Sequence, residues 1–156
     1  MFKLIKFLGL SLKGMATVKG TNRTKYDNSI GENIVLPGQD GSNMKVQVDD
    51  FTFAGEAAGT VLQVGNTLPA GARIHKITIN SAALGSGVTL DVGDSHLATR
   101  YDTAIACTSA AQTIADNIGG KNYKIGTNTG DNQVLLTTGG GAATGQVKVL
   151  IEYAHA

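Results

Sequence analysis

The residues of this chain that could do chemistry are few, and their spacing matches no common reactive arrangement. His75, His96 and His155 fall in three different elements. They lack the His-Glu-x-x-His spacing that puts two imidazoles on one helix face. Cys107 is the single cysteine, so neither an intrachain disulfide nor a cysteine-based zinc site can form. Its expected role is that of a small buried hydrophobe. Asp94-Ser95-His96 sets hydrolase-like residue types side by side, but neighbours in sequence rarely align as a proton relay. Asp49 and Asp50 are adjacent, and adjacent residues of a strand point to opposite faces, so they cannot share one ligand. Surface solvation is the expectation for that pair.

The glycine-rich segments are equally unreactive on paper. Gly119-Gly120-Lys121 lacks the earlier glycine of a phosphate loop, where Ala115 stands, and Asn122 follows where Ser or Thr is needed. Gly85-Ser86-Gly87 lacks the Gly-x-Ser-x-Gly form of a nucleophile elbow and reads as a hairpin turn. Residues 126–132 (GTNTGDN) carry calcium-loop residue types without the glutamate or the spacing, and turn formation explains them. Neither a catalytic residue, a metal nor a cofactor is expected.

The elements that would position such residues are short strands. Glycine is frequent (21 of 156 residues), proline and aromatics are scarce, and helical periodicity is nearly absent. Small and β-branched residues with glycine turns suit a compact all-β domain. The organising stretch is 67–103. Ile77 and Ile79 share one face with Thr78 on the other; Val88, Leu90 and Val92 repeat the period of two, with Thr89 and Asp91 outward. The two runs read as a hairpin. Further strands are expected at 33–36, after 60 (Thr60, Leu62, Val64), at 123–125, at 134–137 and at the C-terminus (Val147, Val149, Ile151, Tyr153). Met44, Val46 and Val48 alternate with Lys45, Gln47 and Asp49 as a half-buried strand, and Phe51 and Phe53 are read as continuing that face. Residues 104–118 are read as a loop with at most a short helix, capped by Thr108 or Ser109. The expected architecture is a jelly-roll-like β-sandwich of about eight strands, residues 31–156, with an up-and-down barrel as the alternative.

The charge is uneven. Six of the 13 Lys and Arg, and none of the 12 acids, lie in residues 1–26. This N-terminal arm, residues 1–30, mixes base with apolar side chains: Phe2, Lys3, Ile5, Lys6, Phe7, Leu8, Lys13, Lys19, Arg23 and Lys25. An acidic surface is its natural partner. Tyr26 alone supplies an aromatic, which argues against a stacking platform for nucleic acid. The apolar run is too short to span a bilayer, and no small-x-small cleavage site follows it closely. Docking onto a neighbouring subunit is preferred to a membrane anchor, with Met15 as an alternative start.

One segment carries a resemblance. Leu68, Pro69, Gly71, Arg73 and Ile74 open the 67–103 stretch, and Val92-Gly93-Asp94-Ser95 followed by Arg100-Tyr101 closes it. This pattern resembles jelly-roll capsid decoration (cement) proteins of tailed bacteriophages. The resemblance implies a virion structural protein on the phage head surface, without enzymatic activity or a small-molecule substrate. Its implied partner is the major capsid protein, whose shell it would bind and stabilise, as a homodimer or homotrimer. On physical grounds Gly93, Asp94, Arg100 and Tyr101 read as a loop brace, with Asp94 in a turn and Arg100 near enough in sequence to pair with it; such a pair, if exposed, contributes about 0–1 kcal/mol, and a subunit contact is the alternative role. A receptor- or carbohydrate-binding module of a phage fibre is the competing reading; four Tyr and no Trp leave it little aromatic platform.

Overall fold

Period-two patterning with glycine turns yields an all-β sandwich. The computed structural model describes residues 17–20, 44–117, 119–127 and 131–155. Nine strands are found among them: β1 (Thr17–Lys19), β2 (Met44–Glu56), β3 (Val61–Val64), β4 (Arg73–Ser81), β5 (Thr89–Gly93), β6 (Asp102–Ala106), β7 (Ala111–Ile114), β8 (Val134–Gly139) and β9 (Ala143–Ala154). They form two sheets, β1-β3-β8-β5-β6 and β2-β9-β4-β7, rather than one closed barrel. Every pairing is antiparallel except β1 with β3.

The core lies between the inner faces. Val147, Val149 and Ile151 of β9 with Ile77 and Ile79 of β4 meet Leu62, Leu90, Val92 and Leu136 of the other sheet, all almost wholly buried. Removing each such side chain from water contributes about 1.5–3 kcal/mol. The alternation of β9 (Val147 to Tyr153 inward) is the clearest in the chain, and β9 is an inner strand that pairs with both β2 and β4.

Several expectations are corrected. The runs at 74–79 and 88–92 are not a hairpin: β4 belongs to the four-stranded sheet and β5 to the five-stranded one. Residues 82–88 cross between the layers instead, anchored by the fully buried Leu84, whose N–H donates to Cys107 O (2.8 Å) and whose carbonyl accepts from Thr144 N (2.8 Å). A two-residue turn would have kept the strands together; a longer connection with a buried leucine does not. Residues 104–118 hold no helix among those described. They form β6 and β7, pairing with β5 and β4, because open sheet edges override the modest helix preference of the alanines. Residues 123–125 make only an isolated bridge, Arg73 with Lys124.

β2 is turned over relative to expectation. Met44, Val46 and Val48 face solvent, while Asp49 is 2% exposed and Phe53 is in the core. Phe51 and Phe53 are an odd number of residues from the Met44–Val48 set, so one unbroken strand must put the two sets on opposite faces. The inward polar residues are satisfied locally. Asp49 Oδ2 accepts from Gly65 N (2.8 Å) and Gln47 Oε1 from Asn66 N (3.1 Å). Asp49 is therefore a buried brace between the layers and not a solvated surface acid; Asp50 lies on the other face, as the spacing requires. The strand expected at 33–36 lies outside the described residues. Thr17–Lys19, read as part of an arm, is instead an edge strand parallel to β3, with Val18 packed against the core.

Candidate functional site

Gly93, Asp94, Arg100 and Tyr101 do come together. Strand β5 ends at Gly93, and the chain must turn back to start β6 at Asp102. Asp94 organises this reversal. Its Oδ1 accepts from the backbone N–H of His96 (2.9 Å) and Leu97 (2.9 Å), a local Asp turn. Arg100 Nε donates to Asp94 Oδ2, and its terminal nitrogen reaches Oδ1 at 3.4 Å. The Asp94 side chain is fully buried and that of Arg100 is 17% exposed, so the ion pair is partly buried and not a solvent-exposed one. The hydrogen bond and charge of Asp94 push the Arg100 guanidinium further above its ordinary value.

Two residues that the sequence did not link to this loop, Tyr123 and Asp131, complete the cluster. Arg100 lies over the ring of Tyr123, 4.1 Å from its centroid, and Tyr101 meets Tyr123 edge to face at 6.3 Å. The Tyr123 hydroxyl donates to Asp131 Oδ2 (3.3 Å), which also accepts from Gly126 N (3.0 Å). Gly126 and Asp131 are thus tied, through Tyr123, to the loop at 93–101. No local signal could have linked residues some 30 positions apart.

This arrangement is mechanical. Both oxygens of Asp94 are engaged by donors and sealed from water, so it cannot serve as a general base. Cys107 is buried, burial pushes its thiol up, and its Sγ sits 3.5 Å from Ile105 O; it is not a nucleophile. Among the described residues no three His, Cys, Asp or Glu side chains converge, and no helix is long and apolar enough to cross a membrane. Of the arm residues, Lys19 is exposed on β1. Phe2, Lys3, Ile5, Lys6, Phe7, Leu8, Lys13, Arg23 and Lys25 lie outside the described residues.

Tyr101 gives a pH test. It is 3% exposed, its hydroxyl has no hydrogen-bond partner among the described residues, and burial holds its phenol well above the usual value near 10. Folding therefore disfavours the phenolate. The contribution is complete below about pH 10, the unfolded value, and is lost as pH rises above it. In urea unfolding from pH 8 to 11, the wild-type chain should lose stability more steeply than Tyr101→Phe. At pH 7 the variant should be at least as stable, since it removes an unpaired buried oxygen. Parallel pH slopes for the two proteins would refute this.

The second notable surface is the outer face of the four-stranded sheet. Register places Val48, Leu150, Thr78 and Ile114 in one row across β2, β9, β4 and β7. Val46, Glu152 and Lys76 form the row on one side, with Lys76 Nζ 3.4 Å from Glu152 Oε1. Asp50, Lys148, Asn80 and Gln112 form the row on the other. Met44, Val46, Val48 and Ile114, each 42–53% exposed, are four of the five large hydrophobics exposed among the described residues.

No protein-family model matches the chain, and no curated protein sequence does. Solved structures do match. The chain is similar to one in the cyanophage Pam1 capsid asymmetric unit, with 28% identity over 80% of this chain and 94% of that one, at a TM-score of 0.62. It shares its fold with a chain of the capsid of Ralstonia phage GP4, with 18% identity over 79% of this chain and 92% of that one, at a TM-score of 0.54.

Proposed function

We propose that this protein is a virion structural component of a tailed phage, a capsid decoration protein that binds and stabilises the major-capsid shell from the head surface. The observation that carries this reading is the 28% identity to a chain of the Pam1 capsid asymmetric unit across 94% of that chain. The physical character of the fold agrees: a braced sandwich whose polar cluster holds loops together.

The N-terminal arm is the proposed contact with the shell. Its apolar side chains and three of its bases (Lys3, Lys6, Lys13) precede β1, Lys19 lies on β1, and Arg23 and Lys25 follow it; β1 is the terminal strand of the five-stranded sheet among the described residues, a place from which an arm reaches along a neighbouring subunit. Many such contacts on a symmetric shell act together through avidity, so each can be weak. Because Thr17–Lys19 belongs to the sheet, the informative truncation removes residues 2–14 only. Co-sedimentation with shells assembled without this protein should fall at least about tenfold, while thermal unfolding of the truncated chain stays within a few degrees of wild type. Undiminished co-sedimentation would exclude the arm as the contact, and no binding by the full-length chain would exclude the decoration role.

A further inference from the structure

The outer face of the four-stranded sheet carries, on its inner strand β9, a pattern that matches itself. Along β9 the outward residues are Lys148, Leu150 and Glu152, a base and an acid placed symmetrically about a leucine. The row through Leu150 carries no charge: Val48, Leu150 and Ile114, with the buried Thr78 between the last two. A two-fold axis running along this row, between two copies laid face to face, superposes the row on its own mate. It also sets Lys148 of each copy opposite Glu152 of the other, twice, while on the edge strand β2 Val46 of each copy meets Asp50 of the other. Two-fold contacts demand this self-complementarity, and sheets stack readily with aligned strands about 10 Å apart.

We infer that the outer face of β2-β9-β4-β7 is a homodimer interface, in which Leu150 lies at the two-fold axis and Lys148 and Glu152 pair reciprocally between copies. Val48 and Ile114, two of the exposed large hydrophobics, stand with Leu150 in the central row, and the charged residues of the Lys148 and Glu152 rows supply the polar rim that such interfaces have. Four strands over the three rows span roughly 400 Å² in plan, below the standard size of specific contacts. The dimer is therefore a weak one, populated at tens of micromolar. Such a contact would link neighbouring copies on a shell, but it belongs to the free chain as well.

Sedimentation equilibrium of the full-length chain from about 5 to 200 µM tests it without any capsid. Wild type should show a monomer–dimer equilibrium. Lys148→Glu and Glu152→Lys each set like charges opposite one another at both contacts, and each alone should weaken association about tenfold or more. Mixed together, the two variants restore opposite charges at both contacts, and the heterodimer should return to within about threefold of wild type. A role within one chain, or a seat for the N-terminal arm, predicts no rescue on mixing. A wild-type chain that stays monomeric at 200 µM, or variants that fail to rescue each other, would overturn the inference.

Glu152→Lys also faces Lys76, so a second measurement avoids that site. Leu150→Cys should be captured as a dimer by a short bismaleimide, whereas Leu135→Cys on the other sheet should not. Cys107 is fully buried and stays silent. Equal cross-linking of both positions would also overturn the assignment. Because every readout uses free protein, failure here leaves shell binding standing, and loss of shell binding on truncating the arm leaves the dimer untouched.

Discussion

Replacing Asp94 with alanine is expected to lower folding stability by about 3–5 kcal/mol, the usual consequence of breaking a buried ion pair from one side. The substitution strands the Arg100 guanidinium in a largely covered site and leaves the N–H groups of His96 and Leu97 without their acceptor. For a chain of this size the midpoint of thermal unfolding should drop by roughly 8–15 °C. Asp94→Asn keeps an acceptor but not the charge and should fall between the two. The double variant Asp94→Ala with Arg100→Met should recover part of the loss, because no buried charge is then left alone. In a double-mutant cycle the coupling should exceed about 1 kcal/mol. A cost below 1 kcal/mol for Asp94→Ala would return the pair to the status of a surface contact. The loop of 93–101 would then need another brace.

Gly93→Ala should be nearly as damaging, by about 3 kcal/mol, for a steric reason. A Cβ at Gly93 would stand 2.1 Å from Leu97 O and 2.3 Å from the carbonyl carbon of Ala98. Both are backbone atoms of the reversal that Asp94 holds, so neither can swing aside as a side-chain tip would. Overpacking of a tight site ordinarily costs about 1–3 kcal/mol, and a contact this close with backbone belongs at the top of that range. Gly119→Ala is the matched control: its nearest neighbour is Asn117 Oδ1 at 3.5 Å, and it should change stability by less than about 0.5 kcal/mol. Equal stability of Gly93→Ala and wild type in urea titration would show that the reversal can relax. The effects of Gly93→Ala and Asp94→Ala should not add, since both act on one turn.

The braced loop was half legible in the sequence. Gly93, Asp94 and Arg100 are close in the chain, and turn chemistry at Gly-Asp with a nearby arginine is a local signal. Its burial was not legible, because Tyr123 and Asp131 arrive from a distant loop and only the closed sandwich stacks them on Arg100. Asp49 teaches the same lesson from the other side. An aspartate on a strand is ordinarily solvated, but the turn after β3 offers it the Gly65 N–H, and a satisfied carboxylate can be buried.

Alternation along β3, β4, β5, β8 and β9, with glycine at the turns, determined by itself that the chain is all-β and which of their residues meet the core. That pattern is local: successive side chains alternate whatever the strand pairs with. The same alternation could state that β2 has two unlike faces, since Met44 to Val48 and Phe51 to Phe53 differ in parity, but not which face turns inward. The tertiary structure decided that, through the donors at Gly65 and Asn66. It also decided that β4 and β5 part into different sheets and that the alanine-rich segment pairs as β6 and β7. Sheet membership is settled by hydrogen bonds between strands far apart in sequence, and no short-range pattern encodes them. The face left outward by the turning of β2, with Leu150 at its centre, is for that reason visible only in the folded molecule.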